Sequence, residues 1–210
     1  GIESIFTGDN HSFAVDSTGQ LFVWGSNAHG QLGVNGIVFS DAPILNTIPN
    51  VQAADGGTDH SIVLTTNQKV YTFGNNDYGQ LGNGTLISEY NPQKMDTLDA
   101  VIHVEAAFYQ TGVIKGDNST WTWGRNNAGQ LGTENTVDQD VPNYIPNLTG
   151  AADFGLGQDH TSYIVTQENS CASNIIDVFV NPQPDVTITG FGGLLTATPP
   201  GDSYQWYIDG

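Results

Sequence analysis

A repeat of about 50 residues limits the fold of this chain more than any other feature of its sequence. Gly-Gln-Leu-Gly occurs at Gly30–Gly33, Gly79–Gly82 and Gly129–Gly132, so that successive copies are 49 and 50 residues apart. An aromatic residue stands six positions before each copy; these residues are Trp24, Phe73 and Trp123. A fixed period of this length is the signature of a repeat architecture in which each copy folds as one supersecondary unit.

A second motif occurs earlier in the same units. Gly-x-x-His followed by Ser or Thr contains His11, His60 and His160, whereas the third unit has Gln110 in the place of histidine. The distance from this position to the glycine after the aromatic residue is 14 residues in each of the first three units. The units therefore differ in residue identity but hardly in length, as expected of stacked copies.

Each unit has the residue pattern of β-strands. In the second unit, 60–64 is an apolar run, 66–68 has turn-forming residues, and 69–73 is β-branched and aromatic. The segment around 51–54 predicts an earlier strand, and a less regular fourth strand is expected between the Gly-Gln-Leu-Gly loop and Pro92. No window has helical periodicity with caps. Four short strands in a unit of this size match one blade of a β-propeller.

The motifs together resemble the regulator-of-chromosome-condensation repeat. The resemblance rests on Gly-x-x-His and on aromatic-Gly-x-Asn-x-x-Gly-Gln-Leu-Gly, whose internal asparagines are Asn27, Asn76 and Asn126. It covers residues 1 to about 166. Since roughly seven such repeats close the ring in that family, it implies an all-β, incomplete β-propeller of about three and a half four-stranded blades. It implies structural roles for the repeated residues His11, His60, His160, Trp24, Phe73, Trp123, Gly30, Gly33, Gly79, Gly82, Gly129 and Gly132.

The repeat pattern ends after Val165. The fixed spacing places Ser173 and Asn174 where Trp24 and Gly25 stand in the first unit. Residues 167–184 are predicted to hold a strand and a linker. Residues 185–210 resemble the first strands of an immunoglobulin-like domain, so we expect the truncated start of such a β-sandwich there. The sequence as a whole is interpreted as a segment of a longer secreted or cell-surface bacterial polypeptide.

Composition excludes several classes of partner. Lys and Arg number 4 against 22 Asp and Glu, which gives a net charge of −18. Four cations cannot form the basic patch that a phosphate backbone requires, so nucleic acid is not an expected partner. No stretch of 18 apolar residues is present, and no membrane insertion is expected. A single cysteine excludes an internal disulfide framework.

No catalytic residue, metal site or cofactor is predicted. The repeated histidines lie on different blades and diverge, whereas zinc needs ligands about 2 Å from one point. Each histidine is expected to anchor its own blade through hydrogen bonds to the backbone. Ser61 adjoins His60 along a strand and points to the opposite face, which argues against a nucleophile–base pair. The glycine-rich loops open no helix and are no phosphate cradle, although weak surface Ca²⁺ sites stay an alternative.

The copies differ most in their loops, and loops on a rigid scaffold are the usual carriers of binding. The candidate partner-binding residues are Asp9, Asp59, Tyr109, Asp159, Asn35, Thr85 and Glu134. These loops are polar and acidic, so the expected partner is a neutral or basic protein or glycan surface. The alternative is that the loops only cap the blades and the module is a spacer.

Three functions compete at this point. The first is a non-enzymatic macromolecule-binding or scaffold module, adhesion-like or inhibitor-like, in a secreted or cell-surface bacterial protein. The second follows from the family resemblance alone and is a guanine-nucleotide exchange factor for a small GTPase. The third is an accessory domain of a secreted hydrolase. The net charge of −18 argues against the second, since it disfavours contact with chromatin.

Overall fold

The computed structural model describes residues 1–146, 148 and 150–166, together with four strands at 176–181, 187–191, 194–198 and 204–207. Every regular element in these residues is a β-strand, and none of them belongs to a helix. The prediction of an all-β chain is therefore confirmed for the described residues. None of them forms a helix of the length and apolarity needed to cross a membrane.

The three complete repeats form three four-stranded antiparallel sheets. Their strands are β1 (Ile2–Thr7), β2 (His11–Asp16), β3 (Leu21–Ser26) and β4 (Phe39–Leu45); β5 (Val51–Gly56), β6 (His60–Thr65), β7 (Val70–Gly74) and β8 (Glu89–Lys94); and β9 (Val101–Ala107), β10 (Gln110–Lys115), β11 (Thr120–Gly124) and β12 (Gln139–Tyr144). Strands that are consecutive in sequence are neighbours in each sheet. This up-and-down order is what short turns between antiparallel strands dictate.

Two further sheets follow, each with three described strands. They are β13 (Ala151–Leu156), β14 (Thr161–Thr166) and β15 (Ile176–Asn181), then β16 (Thr187–Phe191), β17 (Leu194–Thr198) and β18 (Tyr204–Tyr207). Asn181 pairs with Thr161 as Trp24 pairs with Ser12. The third strand of the fourth sheet thus comes eight residues later than the spacing predicts, and the predicted residues Ser173 and Asn174 lie outside the described part.

The fourth strand of each complete sheet extends through its proline instead of ending before it. Pro43, Pro92 and Pro142 lie within β4, β8 and β12. These strands are the last in their sheets and pair on one side only. Proline lacks the N–H that a second neighbour would require, so an edge strand tolerates it. The sequence-based expectation of a strand that stops before the proline was therefore wrong.

The apolar core is divided among the seams, by which we mean the interfaces between consecutive sheets. The first seam buries Phe13, Val23 and Leu32 of the first sheet against Val63 and Phe73 of the second. Two equivalent clusters follow, around Trp123 and around Phe154. Strand β6 is buried along its whole length because it has a sheet on either side. A strand with a sheet on either side needs apolar residues on both of its faces, which explains the run Ile62-Val63-Leu64 in β6.

The first sheet presents an apolar face that no described residue covers. Ile5 pairs with Ala14, as Ala54 pairs with Val63 and Val104 with Val113. Ala54 and Val104 are 2% and 7% exposed in their seams, whereas Ile5 is 74% exposed. At the other end, His160 is exposed although the equivalent His60 is fully buried. The first and fourth sheets therefore each carry a seam position that is left exposed among the described residues.

We predict that the chain self-associates through these faces, because covering apolar surface releases about 25 cal/mol per Å². Replacing the exposed Ile5 by Ser should shift the distribution toward monomer while changing the stability of the monomer by no more than about 0.5 kcal/mol. Analytical ultracentrifugation over a concentration series measures this. Leu45→Ser, an exposed apolar residue on an edge strand, is the control. A monodisperse monomer of the unmodified chain with a high, cooperative melting transition contradicts the prediction.

Candidate functional site

One face of the row of sheets collects the longest loops. Because the strands alternate in direction, the turn between the first and second strands of a sheet lies on the same side as the loop between the third and fourth. We call this side the loop face; it carries the turns 8–10, 57–59, 108–109 and 157–160 and the loops 27–38, 75–88 and 125–138. The opposite side, with turns such as 17–20 and 66–69 and the connections 46–50 and 95–100, is the turn face.

Each long loop is held on a buried asparagine. The Asn76 side chain accepts the backbone N–H of Leu81 at 2.9 Å and donates to the carbonyl oxygens of Thr85 at 2.8 Å and Ile87 at 3.1 Å. Asn27 and Asn126 make the same three kinds of bond in their loops. Fully buried amides with satisfied partners fix the loop backbone. Each loop thus has a fixed backbone, and its exposed residues differ from one copy of the repeat to the next.

Glycines give these loops their sharp path. Gly79 and Gly82 have φ values of 80° and 67°, in the left-handed region where a side chain is strained. A Cβ on Gly82 would lie 2.7 Å from the indole nitrogen of Trp123 in the next sheet. The same glycine therefore bends the loop and admits the neighbouring aromatic ring.

All seven candidate binding residues of the sequence analysis lie on the loop face. Asn35, Thr85 and Glu134 are exposed in the three long loops. Asp9 and Asp159 are exposed in turns, whereas Asp59 and Tyr109 are half-buried at seams. The structure places them on one side of the molecule, and their participation in binding stays a prediction.

The seams differ from one another where they open onto the loop face. At the first seam, His29 Nδ1 lies 3.5 Å from Asp59 Oδ2. At the second, the same two positions hold Tyr78 and Tyr109, whose ring centroids are 5.1 Å apart. Arg125 lies over the Tyr78 ring at 5.6 Å. The repeat thus keeps these two positions at each seam and varies the chemistry of the side chains that occupy them.

Charge is distributed unevenly between the two faces. The only basic side chains besides histidine are Lys69, Lys94, Lys115 and Arg125. The three lysines lie at strand ends or in a turn on the turn face, where Lys94 and Lys115 pair with Asp96 and Asp99. The loop face has Arg125 as its one such cation and carries exposed carboxylates at Asp9, Asp77, Glu134, Asp138 and Asp159. Its potential is therefore negative.

The repeated histidines join neighbouring sheets. His11 Nε2 lies 2.9 Å from Ser61 Oγ of the next sheet, and this hydroxyl donates to the Gln31 carbonyl at 2.6 Å. His60 Nε2 makes the equivalent 2.9 Å contact with Thr111 Oγ1, which donates to the Gln80 carbonyl at 2.8 Å. The hydroxyl proton is already used, so the imidazole must be the donor.

This arrangement corrects the expectation that each histidine anchors its own blade, since the bond crosses a seam. It also brings a histidine and a serine hydroxyl together in space, which the sequence analysis did not foresee. The pair is not arranged for catalysis, because His11 and Ser61 are buried and the hydroxyl proton is committed to a carbonyl. His11 Nδ1 has no orienting partner among the described residues. We assign the pair a structural role.

The glycine of Gly-x-x-His makes room for the ring. A Cβ on Gly57 would overlap the His60 imidazole and lie 2.6 Å from the Phe108 carbonyl oxygen. In the third unit, where Gln110 replaces histidine, the glycine is replaced by Ala107. The Gln110 amide instead donates to the Gly157 carbonyl of the next sheet. Glycine and histidine therefore change together because they compete for one volume.

A second group of titratable side chains lies on β5, β9 and β13, which are the first strands of three successive sheets. Asp55, His103, Glu105 and Asp153 line an open cavity of about 500 Å³ with Phe6 and Phe154. His103 Nε2 lies 3.6 Å from Asp153 and 3.9 Å from Glu105, and the neighbouring Glu105 carboxylate raises the pKa of His103. Burial raises the pKa of Asp55 to about 7, although the Ala106 N–H donates to it at 2.8 Å. In the described residues no three ligand-type side chains converge as a metal would require.

Family models match most of the chain. The regulator of chromosome condensation (RCC1) repeat matches residues 18–64, 67–114 and 117–164, and a second model of the same repeat matches 2–31 and 51–80. No curated protein sequence matches the chain.

Solved structures share the fold at low sequence identity. Prp20p from Saccharomyces cerevisiae is 19% identical with a TM-score of 0.68, and the alignment covers 85% of this chain and 45% of that one. Human WBSCR16 is 18% identical with a TM-score of 0.69, covering 98% of this chain and 61% of that one. Yeast RCC1 (Prp20) bound to Kap60 is 18% identical with a TM-score of 0.70, and the alignment covers 85% of this chain and 43% of that one. The chain thus spans about half the length of these structures.

We predict that Gly57→Ala destabilises the chain by on the order of 2–4 kcal/mol, because it overpacks a fully buried seam. Gly157→Ala is the matched control: the three atoms nearest its Cβ would all belong to the His160 ring, which is exposed and free to move. Urea unfolding measures both. Adding His60→Gln to Gly57→Ala should recover part of the loss, since the third unit is natively Ala and Gln. Equal costs at the two glycines would contradict this explanation.

We predict that the seam histidines contribute stability that is lost on acidification. Burial lowers the pKa of His60 to about 3 and of His11 to about 4, from an ordinary 6.5. Below pH 6.5 the unfolded chain takes up protons that the folded chain excludes, so each histidine removes up to about 1.4 kcal/mol per pH unit. His60→Gln should remove one such contribution in urea titrations from pH 7 to about 5. The reciprocal variant Ala107→Gly with Gln110→His should add one, and an unchanged slope in both contradicts the assignment.

Proposed function

The chain belongs to the regulator-of-chromosome-condensation (RCC1) repeat family, and from this premise we propose that it is a non-enzymatic module that binds a neutral or basic protein through its loop face. The observation that carries the proposal is that some residues of the repeat hold the loops in place while other residues, which differ between copies, are exposed on them. Buried Asn27, Asn76 and Asn126 each hold one of three long loops on the same side, and the residues displayed from these loops differ. A constant scaffold with variable loops on one side is the arrangement that binding modules use.

The charge pattern supports the chemistry proposed for the partner. The loop face lacks lysine, and the lysines that the chain has are on the turn face. A negative surface attracts basic partners and repels polyanions over about one Debye length, or about 8 Å at physiological salt. Prp20p, which shares the fold, is described as binding Gsp1p and histones, and yeast RCC1 (Prp20) as bound to Kap60. Protein binding is thus an activity of structures with this fold.

The proposed setting is a secreted or cell-surface bacterial protein. The acidic composition and the immunoglobulin-like resemblance of residues 185–210 are what support it. An adhesion-like or inhibitor-like role fits a module that presents loops and has no assigned catalytic group. Exchange on a small GTPase is the second candidate, favoured by the fold shared with Prp20p and its described binding to Gsp1p.

Binding measurements against defined probes test the proposal. The full chain is assayed at about 0.15 M ionic strength against purified proteins of acidic to basic isoelectric point, a glycan panel, heparin and duplex DNA. We expect micromolar or tighter binding to neutral or basic proteins, at least tenfold weaker in Asn35→Ala/Thr85→Ala/Glu134→Asn. Asparagine at 134 retains the positive φ of 59° that this position requires.

The control variant is Thr47→Ala/Thr97→Ala, which alters exposed residues of the turn face and should leave affinity unchanged. Tight, salt-sensitive binding to heparin or duplex DNA would overturn the proposal. Selective binding to the glycan panel would change the partner class and leave the loop face as the site. Accelerated release of labelled nucleotide from a small GTPase would favour the second candidate instead.

A further inference from the structure

The three long loops expose an apolar residue at the same position of the repeat. Val38, Ile87 and Val137 each stand five residues after the second glycine of Gly-Gln-Leu-Gly. Their exposures are 69%, 68% and 65%. A single exposed apolar side chain needs no explanation, because folded proteins have many. Recurrence at one position in three successive sheets makes a row on the loop face, which we call the apolar row.

The exposure of the apolar row is built into the loops. The Val38 carbonyl accepts the Asn27 N–H at 2.8 Å, and the carbonyls of Ile87 and Val137 each accept an asparagine side-chain N–H at 3.1 Å. The backbone at each member is therefore tied to the buried asparagine while the side chain faces solvent. Phe39 and Leu86, at 65% and 59% exposure, enlarge the row on the first two sheets. A fixed, solvent-exposed apolar array of this kind marks an interaction site.

Carboxylates lie within three residues of the apolar row in the sequence of every sheet. Asp41, Glu89 and Asp140 follow its members within three residues, and Glu134 precedes the third member by three. No lysine lies on this face in the part of the chain that the structure describes. A partner that covers the row must therefore place apolar groups beside cations.

We infer that the apolar row is the docking surface for an extended, lysine- or arginine-bearing protein segment, whose apolar side chains pack on Val38, Ile87 and Val137. The inference rests on the proposed function and names the chemistry of its partner. An extended chain advances about 3.3 Å per residue, so one extended segment can pass from sheet to sheet and meet the members of the row in turn. The intervening basic residues face the flanking carboxylates.

The test uses the full chain as bait for a displayed library of random peptides. Peptides of about 12 residues are used, because an extended chain of this length spans about 40 Å at about 3.3 Å per residue. We expect enrichment of peptides that combine aliphatic residues with Lys or Arg. For synthetic copies, the row variant Val38→Ser/Ile87→Ser/Val137→Ser should weaken binding at least tenfold. Its melting temperature should stay that of the unmodified chain, because the three side chains are exposed.

Three matched variants make the result decisive. Leu45→Ser/Tyr144→Ser removes apolar residues that are 56% and 42% exposed at turn-face strand ends, and should have no effect. Ile5→Ser alters the uncovered face of the first sheet and should have none either. Asp41→Asn/Glu89→Gln/Asp140→Asn should weaken binding several-fold and reduce its salt dependence.

Enriched peptides without basic residues, full binding to the row variant, or loss of binding in Ile5→Ser would each overturn the inference. The proposed function is judged separately. If Asn35→Ala/Thr85→Ala/Glu134→Asn abolishes binding to a protein probe while the row variant does not, the loop face stays the site and only the apolar row is wrong.

Discussion

The backbone carbonyl of the glutamine in each Gly-Gln-Leu-Gly loop is the acceptor on which the seams depend. The Gln80 carbonyl receives the Thr111 hydroxyl and the Trp123 indole N–H, both at 2.8 Å and both from the next sheet. The Gln31 carbonyl receives the Ser61 hydroxyl. The loop must turn sharply to offer this carbonyl sideways, which requires positive φ at its glycines. The conformation of each loop and the stacking of the next sheet therefore depend on each other.

This coupling explains why the repeat is strict at some positions and free at others. The histidine, the hydroxyl residue and the glutamine carbonyl form a bonded series across the seam, so a change in one leaves a buried polar atom without a partner, at about 1–3 kcal/mol. Residues such as Asn35 or Glu134 only project from a loop that the asparagine already holds. The chain can therefore alter what it displays without altering how it stacks.

Sequence reasoning identified the sheets and the loops because their signals are local. Period, turn residues and strand-like runs predicted the four-stranded antiparallel units, and the seven candidate binding residues lie in loops and turns of one face. It missed the cross-seam histidine bond, since the direction of His11 depends on where the next sheet lies. It also predicted no role for His103, which approaches Asp153 only because β9 and β13 pack against each other. The position of the apolar row can be read from the sequence. The exposure of its side chains depends on the loop conformation that the buried asparagines hold, which the sequence does not show.

The forces that hold this fold are largely separate from the charges that it displays. The seams rest on apolar clusters and on neutral hydrogen bonds, because burial keeps His11 and His60 uncharged. The lysine ion pairs lie at the surface of the turn face, where screening by solvent leaves such pairs little effect on stability. The seam contacts themselves therefore depend little on salt near neutral pH. Salt screens the excess carboxylates behind the net charge of −18, so raising the ionic strength should weaken the attraction between the loop face and the basic partner proposed above.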